Sequence, residues 1–131
     1  MSEKLTKLLF VEDDESIAQI VMMTLQDLGG LTVKHCNSGQ MALETVSDYA
    51  PQLVLLDVMM PGMSGPETFE KLKEIPNAKH VSVIFMTAKA QTHEQEKYLE
   101  TGAIGVIVKP FDPMTLTDQI TQMWTAAKEK N

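Results

Sequence analysis

An open, doubly wound α/β sheet of five parallel strands is the fold class this sequence predicts, and three observations predict it. Short apolar runs of strand length, rich in branched side chains, recur along the 131 residues. The stretches between them carry apolar residues at helical spacing. The two kinds of segment alternate without exception, as (βα)5. A strictly alternating chain makes right-handed crossovers, which put helices on both faces of a parallel sheet. Five strands are too few for an eight-stranded barrel, so the sheet stays open.

The elements follow in order. Leu8-Leu9-Phe10-Val11 is the first strand, and unbroken apolar runs of this kind suit strands covered on both faces. Ile17, Ile20, Val21, Thr24, Leu25 and Leu28 form the stripe of a first helix, which Gly29-Gly30 ends. Leu31-Thr32-Val33-Lys34-His35-Cys36 alternates in polarity, as an edge strand does. Ala42, Val46 and Tyr49 mark a second helix stopped by Pro51, and Leu53-Val54-Leu55-Leu56 is the third strand. Phe69 and Leu72 belong to a third helix after Gly65-Pro66, where proline suits the first turn. Residues 81–86 are the fourth strand, and Thr92 with Gln95 has the capping-box spacing that opens a fourth helix, ending before Gly102. Val106-Ile107-Val108 is the fifth strand. Asp112-Pro113 then caps a fifth helix with the stripe Leu116, Ile120, Met123, Trp124 and Ala127.

Length and composition bound the function. One domain is expected over residues 1–131, with its core at about 6–126, because the chain is too short for two cores and has no linker-like stretch. Eighteen acidic against 11 basic residues give a net charge of −7, which repels phosphate backbones and anionic bilayers. Direct binding to nucleic acid or membrane is therefore excluded. There is no apolar run long enough for a span or a leader, and the single Cys36 rules out an internal disulfide and a cysteine-rich zinc site. A cytoplasmic protein is expected. Cys36 reads as a small buried residue and the ten methionines as gap-fillers in the core. His35, His80 and His93 share no metal spacing and are expected at or near the surface.

The chemistry gathers at one edge. Glu12, Asp13 and Asp14 follow the first strand, Asp57 ends the third, Thr87 the fourth and Lys109 the fifth. All are carboxyl ends of strands, where open α/β sheets bind ligands. In the flavodoxin-like order 2-1-3-4-5 they converge on one crevice. Each has an ordinary reading alone: an acidic run complements a helix N-terminus, and a lysine before proline lies along a turn. Asp57, directly after four aliphatic residues, is harder to explain so, because an unpaired carboxylate at a buried strand end is strongly disfavoured. Clustered carboxylates repel one another, and a hard divalent cation with oxygen ligands relieves them. Mg2+ suits such a site, with Mn2+ as a possible substitute, because it takes one or two carboxylates and shares a phosphate. An aspartate is also a competent phosphoryl acceptor, with the cation, the Lys109 ammonium and the Thr87 hydroxyl neutralising the transferred group.

These residues spell four motifs in order: Val11-Glu12-Asp13-Asp14, Leu56-Asp57-Val58-Met59-Met60-Pro61-Gly62-Met63-Ser64-Gly65, Met86-Thr87-Ala88 and Val108-Lys109-Pro110-Phe111. Together they resemble the receiver domain of two-component response regulators, of the stand-alone chemotaxis type, over essentially the whole chain. The resemblance implies that Asp57 is the phosphoacceptor and Asp13 a direct Mg2+ ligand with Asp57 and the Met59 carbonyl. It implies Glu12 acting through a metal-bound water, Thr87 as the switch hydroxyl and Lys109 as the phosphate-pairing cation. It implies a cis Lys109–Pro110 bond, and turn-forming roles for Pro61 and Gly65. Ala88, Met59 and Lys89 occupy positions that flank the phosphoryl group. One departure stands out: the family usually has an aromatic residue three before the lysine, and here it is Val106, with no obvious aromatic substitute nearby.

The function implied is a signalling switch, phosphorylated on Asp57 by a histidine kinase or a histidine phosphotransfer protein. Its output would be an altered contact with a downstream protein, as a monomer or as a phosphorylation-dependent dimer, and not catalysis on another substrate. No output domain follows the fifth helix, so a stand-alone receiver is expected; a receiver fragment of a longer regulator or hybrid kinase is the alternative. A Mg-dependent aspartyl-phosphate phosphohydrolase would resemble a family with an Asp-x-Asp pattern after strand 1, where this chain has Glu12-Asp13-Asp14. A flavin carrier on the same fold would need a hydroxyl-rich loop there, and carboxylates would repel the flavin phosphate.

Overall fold

The computed structural model describes residues 3–89 and 91–129. Among them run the strands β1 Lys7–Val11, β2 Thr32–Cys36, β3 Leu53–Asp57, β4 Ser82–Thr87 and β5 Gly105–Val108. They alternate with the helices α1 Glu15–Met23, α2 Gly39–Tyr49, α3 Gly65–Leu72, α4 Thr92–Glu100 and α5 Pro113–Glu129. The strands are parallel and lie in the order β2-β1-β3-β4-β5, with β2 at one edge, as the alternation predicts.

Successive side chains of a strand point to opposite faces, and here each face has its own core. Leu9, Val11, Val54, Leu56, Val83 and Phe85 pack with Val46 of α2, Phe69 of α3 and Tyr98 of α4. Leu8, Phe10, Leu53, Leu55, Ile84 and Met86 pack with Val21 of α1 and with Leu116, Ile120 and Trp124 of α5. That double burial is why the strands read as unbroken apolar runs.

Three expectations need correction. The buried face of α1 is Ala18, Val21 and Leu25, whereas Ile20 is 46% and Leu28 67% exposed. After Met23 the backbone widens into a π-helical turn, Thr24–Leu28, with Gly29 N–H bonded to the Thr24 carbonyl at 3.0 Å. A 3.6-residue count carried through that wider turn puts Leu28 on the wrong side. Gly30, at φ +71, does make the left-handed exit expected of the Gly-Gly pair. At α4 the capping position is Gln91, without a side-chain cap bond, and Thr92 already lies inside the helix. The methionines expected in the core divide: Met60 and Met86 are buried and Met22 and Met123 pack against the core, but Met23, Met41, Met59 and Met114 are exposed.

Elsewhere the caps are local chemistry. Ser64 and Glu67 form a reciprocal capping box at α3, Ser38 accepts from Met41 N–H at α2, and Asp112 accepts from Met114 N–H at α5. At the amino ends of the strands, Gln52 clasps the N-terminal segment. Its Oε1 accepts from Thr6 N at 2.7 Å and Lys7 N at 2.9 Å, and its Nε2 donates to the Lys4 carbonyl at 2.9 Å. Beside it the Trp124 indole donates to the Glu3 carbonyl at 3.1 Å.

Candidate functional site

The other end of the sheet holds the chemistry. Asp57 closes β3, and its position is set by the ladder: it lies opposite Met86, and Val58 N–H donates to the Met86 carbonyl at 3.0 Å. Thr87 closes β4 and Lys109 follows β5, with its N–H on the Thr87 carbonyl at 2.7 Å. The Lys109–Pro110 bond is cis, as the resemblance implied. These strand ends and the Glu12–Asp14 turn enclose a cleft of about 270 Å³, also lined by Ile17, Met59 and Ala88.

Its geometry is electrostatic. Lys109 Nζ donates to Asp57 Oδ1 at 2.5 Å and to Glu12 Oε1 at 3.0 Å. Carboxylate oxygens of Glu12, Asp13 and Asp57 lie within 4.8 Å of one another, with Glu12 and Asp57 buried and Asp13 open to solvent. Burial pushes the Asp57 carboxyl above its ordinary range, the Asp13 charge adds to this, and Lys109 only partly opposes it. Burial raises the Glu12 carboxyl too, again against the pull of Lys109. For Lys109, burial disfavours the ammonium, but the hydrogen bonds to Asp57 and Glu12 outweigh it and raise its pKa.

One ammonium faces three carboxylates, so the fully ionised cluster carries two uncompensated negative charges. An all-oxygen donor set with that deficit fits a hard divalent cation. Glu12, Asp13 and Asp57 are thus brought together as predicted, with Lys109 among them. Thr87 is buried at the cleft wall, and its Oγ1 accepts the Lys89 N–H at 3.1 Å. Met59 stands at the rim, 70% exposed. The Lys89 side chain is exposed and is not part of the cleft lining.

The fold also brings in residues that sequence reasoning missed. Gly65, read as a turn former, has its N–H on the Val58 carbonyl at 2.9 Å, and beyond that reading it is the point where α3 touches the Asp57 backbone; the left-handed position of the loop is Gly62, at φ +82. His35, read as a surface or partly buried histidine, is half-buried and reaches the Glu12 carbonyl, a contact that reading did not include. Val106 pairs with Phe85, and the aromatic ring on that face comes instead from α4: Tyr98 lies 5.3 Å from Phe85, one pleat repeat behind Thr87. None of the three has a local sequence signal, because each contact joins separate elements.

Known proteins place this arrangement. The family model described as response regulator receiver domain matches residues 8–121. A transcriptional regulatory protein CpxR homolog of Haemophilus influenzae is 38% identical over 116 residues, 88% of this chain and 49% of that protein. A probable cyclic di-GMP phosphodiesterase of Vibrio cholerae is 34% identical over 82% of this chain and 24% of its own length. The chain therefore spans about half or less of these curated relatives. Among solved structures, the Vibrio cholerae chemotaxis protein CheY4 superposes with a TM-score of 0.83 at 30% identity, covering 91% of this chain and 98% of that one. The beryllofluoride-activated DrrB receiver domain gives 0.77 at 31% identity, covering 91% and 97%.

Proposed function

Because the chain belongs to the response regulator receiver domain family, we propose that Asp57 is the phosphoacceptor of this switch, with Lys109, Thr87 and the acidic pair Glu12 and Asp13 as its machinery. Receiver domains of response regulators are phosphorylated by histidine kinases. In the step proposed, an Asp57 carboxylate oxygen attacks phosphorus and the donor's phosphorus–nitrogen bond breaks, the imidazole leaving with its electron pair and taking a proton. The observation that supports this most is the buried Asp57, paired to an ammonium on one oxygen and facing a second and third carboxylate.

Glu12, Asp13, Asp57 and the Met59 carbonyl would hold Mg2+, or Mn2+ in its place. The cation supplies positive charge shared between carboxylate and phosphoryl oxygens. The Lys109 ammonium is oriented by two carboxylates and stands ready to pair with a phosphoryl oxygen. The Thr87 hydroxyl donates to another once it releases the Lys89 N–H. Ala88 and Met59 line the cleft beside the group, and Lys89 meets it through its backbone N–H on Thr87. The domain promotes only its own phosphorylation and dephosphorylation.

We assign the donor as a histidine kinase or a histidine phosphotransfer protein. An apolar cleft next to the acceptor, lined by Ile17, Ile20, Pro110, Phe111 and Pro113, supports contact with a protein donor. Output runs through a protein target, with α4, β5 and α5 as the surface, as monomer or phosphorylation-dependent dimer. A cytoplasmic setting fits the free thiol of Cys36, and no helix among the described residues is long and apolar enough to cross a membrane. Residues 1–131 are read as one domain, since both cores share one sheet.

Incubation with Mg2+ and acetyl phosphate tests the acceptor. Wild type should gain one phosphoryl group by intact mass and Asp57→Asn none; equal labelling of the two overturns the assignment.

A further inference from the structure

We infer that His35 is a positioning residue for the acidic cluster, holding the Glu12–Asp13 peptide in the orientation that keeps Asp13 beside Asp57; this rests on reading the cluster as a cation site. Glu12 lies one residue past the end of β1, yet both polar atoms of its backbone are held by β2. Its N–H donates to the Cys36 carbonyl at 3.0 Å, which extends the ladder one step. Its carbonyl receives His35 Nε2 at 2.8 Å.

The second bond replaces one the ladder cannot make. By the parallel pattern, the next donor to the Glu12 carbonyl is the backbone N–H two residues beyond Cys36, that of Ser38. But β2 ends at Cys36, and Ser38 is the cap of α2, with its hydroxyl on Met41 N–H and its carbonyl on Ala42 N–H. The edge strand therefore supplies the donor from a side chain. The ring is oriented by Phe10, whose centroid is 5.7 Å away. Since a carbonyl only accepts, Nε2 carries the proton.

Fixing this carbonyl fixes the peptide plane that leads into Asp13. Glu12 is held at its other end as well, by Lys109, so the whole residue is immobilised before a cation arrives. Outer contacts of this kind orient metal ligands, and losing them weakens binding by about tenfold or more.

Three variants and one spectrum test this. Titration calorimetry with Mg2+ on His35→Phe, which keeps a ring on Phe10 but loses the donor, should show binding weakened about tenfold, with the metal-free protein still folded and melting somewhat lower for the carbonyl left without its donor. His35→Gln, which keeps a donor, should recover part of the affinity, and Asp13→Asn should lose most of it. His35→Phe binding as tightly as wild type, or His35→Gln losing as much as His35→Phe, overturns the assignment. If wild type itself binds no Mg2+, the cation reading fails separately. The nitrogen-15 spectrum of the His35 ring then decides: a protonated Nε2 coupled to the Glu12 carbonyl supports the positioning of that peptide, and a ring protonated at Nδ1 alone overturns it.

Discussion

Gly65→Ala probes how tightly Asp57, the proposed acceptor, is built into the fold. A Cβ at Gly65 would sit 2.3 Å from the Asp57 carbonyl oxygen and 3.0 Å from the Val58 Cα. Ordinary contact begins near 3.4 Å, so α3 and the end of β3 must part by about 1 Å. Overpacking of this sort costs about 1–3 kcal/mol. For a domain of this size each kcal/mol lowers Tm by roughly 3–5 °C, so circular dichroism should record a fall of roughly 3–15 °C. The same displacement moves Asp57 relative to Lys109, and a 1 Å misplacement of a reacting group slows transfer by roughly 100-fold. Phosphorylation by acetyl phosphate with Mg2+, followed by intact mass, reads that rate. Gly62→Ala is the control: it sits at φ +82 with nothing within 4 Å of the added carbon, so only backbone strain of about 1 kcal/mol is expected and the rate should hold. A Gly65→Ala protein with wild-type melting and wild-type phosphorylation would refute the packing argument. So would equal losses in the two variants.

Other outcomes follow from the same contacts. Because burial raises the Asp57 carboxyl, the folded state binds its proton more tightly than the unfolded chain, and this group's contribution to stability falls as pH rises through and above the ordinary carboxylate range. Asp57→Asn should therefore melt higher than wild type at pH 7 in EDTA; a lower melting temperature would contradict the sign. Added Mg2+ should raise the wild-type curve by about 2.7 kcal/mol at a hundredfold excess over its Kd, and the Asp57→Asn curve by much less. Burial also raises the Cys36 thiol, so it should react with thiol reagents at neutral pH far more slowly than after denaturation, as followed by absorbance; equal rates would place it at the surface. Gln52→Ala removes the acceptor of the Thr6 and Lys7 amides, which are exposed and half-buried, and should destabilise by about 0.5–1.5 kcal/mol, with faster hydrogen exchange at both.

What could be read in advance was whatever is written along one segment. Strand runs, their order and the polar residue closing each run are local patterns, so Asp57, Thr87, Lys109 and the turn at Glu12 were legible as one set. The α1 stripe failed at Leu28 because a wider turn changed the period part-way, and at Ile20, ahead of that turn, because the buried face is the narrower one of Ala18, Val21 and Leu25. Gly65 looks like any loop glycine until α3 is laid against Asp57. His35 has an ordinary edge-strand pattern, and only the departure of Ser38 into a helix cap leaves a carbonyl for it to serve. Tyr98 reads as a helix residue far from Val106; the register of β4 and β5 sets Phe85 beside Val106, and the packing of α4 on the sheet brings the Tyr98 ring to Phe85. In each case the missing information is the distance of approach between elements remote in sequence.

The clasp at the amino ends of the strands bears on how this domain can be joined to other polypeptide. Trp124 of the last helix touches the carbonyl of Glu3, so the first and last described segments are neighbours. Both lie at the amino ends of the strands, and Asp57 lies at the carboxyl end of β3. Anything spliced on at either side, a tag or a fused protein, joins at the end of the sheet opposite Asp57 and leaves the approach to that carboxylate open. The same adjacency makes the backbone almost a ring, which a short bridge closes, leaving a surface loop as the place to cut new ends.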